Sequence, residues 1–239
     1  MTLADDDLGP IDSRQWPKEL VARATSPGPR PRLFGYDVER DLAAFYRFSD
    51  LIFLSLIGEL PEEACSRAFE LTLCFAAPLS VAHASVHAAV LSRLCGARPG
   101  GVFSTAGLTL AEQASTTVAS INELLAARES SGSGPLPSEL RASDDAERAS
   151  VASLAQLLAG ILDVPVLRDD PSRDVALVAV LRACGFTSAF HLVSVLTLAR
   201  LPSALAEASR TKPGDFATYP IDTPHFEYVA PVPDGTPVR

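Results

Sequence analysis

From Ser49 onward the chain alternates between apolar segments of helix length and isolated glycine or proline stops. That punctuation restricts it to a set of packed helices. Gly58, Pro61, Pro78, Gly96, Pro99, Pro171 and Gly185 mark the breaks. Between them Ala and Leu dominate, and hydrophobic residues make up 47% of the 239. Strong helix formers in that amount predict an all-α fold, a multi-helix bundle, and the length suffices to bury a full core.

The pattern predicts a short helix over 39–46 and another over 50–57, capped by Ser49 and stopped by Gly58. Pro61, Glu62 and Glu63 suit the first turn of a third helix, ending near Phe75. Ser80 is expected to cap a helix reaching Cys95. Pro99-Gly100-Gly101 reads as a turn before a longer helix over 104–128. Ser143 is expected to start a helix to about Leu162, followed by a loop over 163–171. Ser172 caps a helix to Cys184. A final helix runs from Thr187 or Ser188 through Arg210, and Pro202 inside it predicts a kink.

Three regions lack this periodicity. Residues 1–34 read as an extended N-terminal arm, 129–138 as a flexible linker, and 213–239 as an extended tail with Tyr219, Phe226 and Tyr228 as anchors. The helical domain is therefore 35–212.

A formal charge of −9 argues against nucleic acid or an anionic membrane as partner. Local arginines can still bind an acidic ligand. Cys65, Cys74, Cys95 and Cys184 have no C-x-x-C spacing and read as reduced thiols of a cytoplasmic protein. No basic start with an apolar run suggests a signal peptide, and the apolar runs look too interrupted to span a membrane. His83 and His87 share a helix face, a spacing that can bind zinc. Ala84 follows His83 where a zincin has Glu, so both read as core or interface histidines, with no metal expected.

The stretch 35–61 reads G-Y-D-x-x-x-D-L, an apolar helix, then G-E-L-P. It resembles the N-terminal signature of the citrate synthase superfamily, which includes citryl-CoA lyases and methylcitrate synthases. Ser92-Arg93-Leu94-Cys95-Gly96-Ala97 and Ala106-Gly107-Leu108 resemble the helix pair before that family's first catalytic histidine. Asp174-Val175-Ala176 through Leu181-Arg182-Ala183-Cys184-Gly185 resembles its N-V-D-F helix, and Leu198-Ala199-Arg200 through Glu207 its A-R-x-x-G-W-x-A-H helix. The resemblance covers roughly 33–125 and 170–210. It implies the large helical domain of a citrate synthase without its small domain, the linker 129–138 standing in its place.

The chemistry implied is acid–base catalysis with stabilisation of an oxyanion. In the family an aspartate takes a proton from the acyl-CoA, a histidine of an H-G-G-A motif binds the enol oxygen, and a second histidine polarises the acceptor ketone. Asp174 falls at the catalytic aspartate and Arg200 at an arginine that binds a substrate carboxylate. No histidine here precedes Gly. Where H-G-G-A is expected the chain reads Thr109-Leu110-Ala111-Glu112-Gln113-Ala114-Ser115, and Glu207 replaces a neighbouring family histidine. The expected function is thus a non-catalytic or partner-dependent subunit of an acyl-CoA condensing or cleaving assembly. It would form a homodimer, or a heterodimer with a full-length citrate-synthase-like chain. One alternative is a minimal lyase or synthase using Asp174 and Arg200; another is a helical interaction module without ligand. No cofactor is expected, a CoA thioester being the candidate ligand.

Overall fold

The computed structural model describes residues 22–26, 28–130, 135–214 and 227. Most of the arm at 1–34, part of the linker, and most of the tail, including its three aromatic anchors, lie outside the described residues. The described residues fall into two compact units, divided between Leu60 and Pro61.

The first unit holds a three-stranded antiparallel meander of β1 (Thr25–Ser26), β2 (Arg32–Leu33) and β3 (Tyr36–Asp37). Leu33 pairs with Tyr36, leaving Phe34 and Gly35 as a two-residue turn with φ of 47° and 88°. Two positive φ values make the type I′ hairpin turn, which favours glycine. A π-turn over Val38–Leu42 runs into α1 (Ala43–Phe45), followed by α2 (Phe48–Ile57). The Y-D-x-x-x-D spacing is a reciprocal cap. Asp37 Oδ1 accepts from the Glu39 and Arg40 N–H groups at 3.0 and 2.9 Å, while Asp41 Oδ2 accepts from the Asp37 N–H at 2.9 Å. These bonds hold the Asp37 carboxyl below the usual range, Arg40 N–H leading and the desolvation of burial opposing.

Ser49 does not cap α2. The helix starts at Phe48, two residues before the expected Asp50, and the Asp50 carboxylate reaches back to the Arg47 N–H at 2.9 Å. Gly58 ends α2 at φ 90°, and a Cβ there would stand 3.4 Å from the Phe34 ring.

The second unit contains α3 (Glu63–Ala76), α4 (Ala84–Leu94), α5 (Pro99–Ser130), α6 (Asp145–Leu158), α7 (Arg173–Ala183) and α8 (Ala189–Arg210), with 3-10 turns at Ser138–Leu140 and Pro165–Arg168. α4, α5 and α8 pack together. Val86, Ala89, Val102, Ala106, Leu110, Ala204 and Ala208 form their shared core. Small residues allow these helices to approach closely. α7 packs on α3, α5 and α6. Phe69 of α3 stacks on Phe186 beyond α7, centroids 5.2 Å apart.

Several starts differ from the sequence reading. Pro99-Gly100-Gly101 is the first turn of α5, not a turn before it, as suits proline at a helix start. The Ser80 hydroxyl accepts from the Ala82 N–H in a local turn, and α4 begins at Ala84 with His83 as its N-cap. Asp144 caps α6 instead of Ser143, accepting from the Glu147 N–H at 2.7 Å. α6 stops at Leu158, before Gly160 at φ 79°. α8 continues through Pro202. By length and composition α8 could cross a membrane, contrary to the sequence reading; in this fold Leu192, Val195, Leu196, Ala199, Ala204 and Ala208 of that helix are buried.

Candidate active site

The N-terminus of α7 is anchored before any of its side chains act. The Ser172 N–H donates to the Leu140 carbonyl at 2.7 Å and the Ala142 N–H to the Asp170 carbonyl at 3.0 Å. Ser172 occupies the N-cap position without a side-chain cap. The cap comes from α6: Glu147 Oε1 accepts from the Arg173 N–H at 2.8 Å. Its other oxygen takes the Ser143 N–H at 2.7 Å and hydroxyl at 2.9 Å. Burial raises the Glu147 pKa, but these hydrogen bonds outweigh it and hold the carboxyl below its ordinary value. A carboxylate at a helix N-terminus is favoured by the exposed N–H groups and the dipole.

The C-terminal end of α3 meets the same place. The Arg173 guanidinium donates to the Phe75 carbonyl and the Ser203 hydroxyl to the Ala77 carbonyl. Carbonyls without an intrahelical partner are thus satisfied by α7 and α8.

Asp174 and Arg200, the two residues singled out from the sequence, are ion-paired: the Arg200 guanidinium donates to Asp174 Oδ1. The Arg200 side chain is 9% exposed and the Asp174 side chain 35%. Both line a cleft of about 430 Å³ with His83, Glu112, Gln113, Thr116 and Thr117. Glu112 and Gln113 occupy the segment where the motif histidine is expected, so α5 supplies a polar wall there without an imidazole.

His83, read as a core or interface histidine, is the residue that sequence reasoning missed. As the N-cap of α4 it makes no capping hydrogen bond, and its imidazole joins the cleft. Burial first, and the Arg200 charge second, hold its pKa below 6.5, with Asp174 opposing. The imidazole is therefore neutral at neutral pH. His83 Nδ1 and Arg200 Nε are buried without a hydrogen-bond partner. Unpartnered groups of this kind are costly unless a ligand meets them.

An imidazole, a carboxylate and a guanidinium lining one cleft are groups able to bind a carboxylate and move a proton. The fold around it is that of a citrate-synthase-like helical domain. The citryl-CoA lyase from Hydrogenobacter thermophilus matches with a TM-score of 0.58 and 20% identity over 94% of this chain and 98% of that one. A mutant of the ATP citrate lyase from Methanosaeta concilii, in complex with (3S)-citryl-CoA, matches with a TM-score of 0.59 and 11% identity over 93% of this chain. The ATP citrate lyase from Methanothrix soehngenii, with citrate and coenzyme A, gives 0.55 and 11% over 97% of this chain. Of each of those two chains, 45% is covered. No protein-family model matches the sequence, and no curated protein matches it significantly.

Proposed function

We propose that this cleft binds the CoA thioester of a polycarboxylic acid and breaks or makes the carbon–carbon bond next to the thioester, as a citryl-CoA lyase or citrate synthase does. The observation that carries this reading is the convergence of His83, Asp174 and Arg200 in one cleft, with Arg200 Nε and His83 Nδ1 still unpartnered. It favours the minimal-enzyme alternative over the non-catalytic subunit that the missing histidine motifs suggest. The short chain is no obstacle, since a protein named as a citryl-CoA lyase is matched over 98% of its length.

In the bond-forming direction the Asp174 carboxylate takes a proton from the carbon beside the thioester. The electron pair left there attacks the ketone carbon of an oxo acid, and the ketone oxygen becomes a hydroxyl. One proton leaves carbon and one arrives on oxygen; the neighbouring His83 imidazole is placed to relay it. Cleavage runs the same steps backwards. Arg200 anchors a substrate carboxylate through its guanidinium at the cleft wall. A cleft of this size suits the acyl end of the thioester, with the nucleotide end outside.

The test is to incubate the purified chain with citryl-CoA, and separately with acetyl-CoA and oxaloacetate, and to follow thioesters by chromatography. Turnover abolished by Asp174→Asn in a folded protein supports the proposal. Absence of turnover in both directions overturns it in favour of a non-catalytic partner. Such a partner would be a homodimer or pair with a longer chain of this fold. Phe103 and Leu108 on α5 and Phe190 and Leu198 on α8 are exposed large apolar side chains that favour association. Light scattering on the purified chain separates monomer from dimer.

A further inference from the structure

One residue of the cleft is oriented by a device separate from the Asp174–Arg200 pair. Gln113 lies on α5 and its side chain lines the cleft. Its amide oxygen accepts the hydroxyl hydrogen of Ser85, in the first turn of α4. Ser85 is completely buried, so its hydroxyl is shielded from water. In this arrangement the amide has Oε1 toward α4 and the two Nε2 hydrogens on the other side. Among the described residues no protein acceptor takes those hydrogens. A half-buried amide, locked at its oxygen and unspent at its nitrogen, is a preorganised hydrogen-bond donor. Such donors act most strongly where negative charge develops during a reaction.

Resting on the function proposed above, we propose that Gln113 is a catalytic residue, its Nε2–H donating a hydrogen bond to the thioester oxygen as that oxygen gains charge. When the carbon–carbon bond of the acyl chain breaks, its electron pair moves into the thioester unit and gives an enolate, and the charge collects on that oxygen. Gln113 stabilises the enolate without transferring a proton. The carbon then takes one proton while the hydroxyl that becomes the ketone gives one up. An amide suits the role because it stays neutral and keeps its donors at any physiological pH. Glu112 beside it has no donor when ionised. Ser85 is a positioning residue that acts through Gln113.

The test compares the full chain with Gln113→Met, which keeps the length of the side chain and loses the donors. With citryl-CoA, kcat is expected to fall by about 100- to 1,000-fold while KM changes less than threefold, the pattern of a donor used in the transition state. Ser85→Ala is expected to lower kcat by less, again at nearly constant KM. If Gln113→Met does not fold, Gln113→Leu, which also removes the donors without adding charge, is read in its place, with the same expectation. Turnover in the parent chain with kcat retained within threefold in the variant overturns the role of Gln113 and leaves the proposed function standing. No turnover in the parent chain overturns both.

Discussion

Arg200, in the middle of α8, donates to the carboxylate of Asp174 in the first turn of α7, 26 residues earlier in the chain. The two were singled out separately, one as a base and one as an anchor for a carboxylate. Their pairing makes them one electrostatic unit in the wall of the cleft, with Arg200 Nε buried and unpartnered behind it. The pair also ties the site to stability. Arg200 is buried and lacks another ionic partner among the described ion pairs.

Asp174→Ala is expected to destabilise the fold by roughly 1–3 kcal/mol. That is below the range of about 3–5 for breaking a fully buried pair, because the Asp174 side chain is 35% exposed. Asp174→Asn keeps an acceptor oxygen for the guanidinium and should cost less. Thermal unfolding of the three proteins checks this; identical melting temperatures would show that the pair contributes nothing.

His83 should titrate below 6.5. Burial is the first cause and Arg200 the second. The folded state favours neutral imidazole, so this group's contribution to stability is complete above 6.5. It is lost as pH falls through the depressed folded value. NMR titration of the His83 ring measures the midpoint directly. Arg200→Met should move it upward, and a midpoint at or above 6.5 in the parent chain contradicts the geometry.

Glu147 should matter out of proportion to its exposure, because it caps α7 and holds Ser143 at once. Glu147→Ala should cost about 1 kcal/mol, the usual loss for a helix cap. Its carboxyl is held low, so the stabilisation is present above its ordinary value of 4.5 and lost as pH falls through the lower folded value. In denaturant melts from pH 7 to 3, the gap between parent and variant should narrow with acid. A constant gap would mean that ionised Glu147 is not the cap.

Cys184 should be inert. Burial, then the charge of the neighbouring Cys65 and a hydrogen bond with it, push its pKa up to about 12. Thiolate is the reactive form, so at pH 8 almost none is present. Cys74 and Cys95 are exposed and should react first with a thiol reagent. Peptide mapping of the labelled protein tests the order; early labelling of Cys184 would refute it.

How far the sequence could be read follows from the range of each interaction. Helix ends depend on neighbours a few residues away, so the stops at Gly58 and Gly185 and the span of α8 were legible. Caps borrowed from afar were not. Ser172 looks sufficient for α7, but Glu147 supplies the cap from 26 residues upstream. Asp174 and Arg200 could be picked out through a family resemblance of the helices that carry them. His83 could not, because it has no motif around it, and Gln113 is one polar residue on a long helix.

The sequence by itself determined the helices, through local propensity and the glycine and proline stops that separate them. It also supplied the charged groups of the site. Only the tertiary structure decided that His83, Gln113, Asp174 and Arg200 share one cleft. The physical reason is that they come from four parts of the chain, and what brings them together is the packing of α4, α5, α7 and α8. No pattern of neighbouring residues encodes that approach. The same packing buries Arg200 and lowers the His83 pKa, since both depend on exclusion of water by other helices.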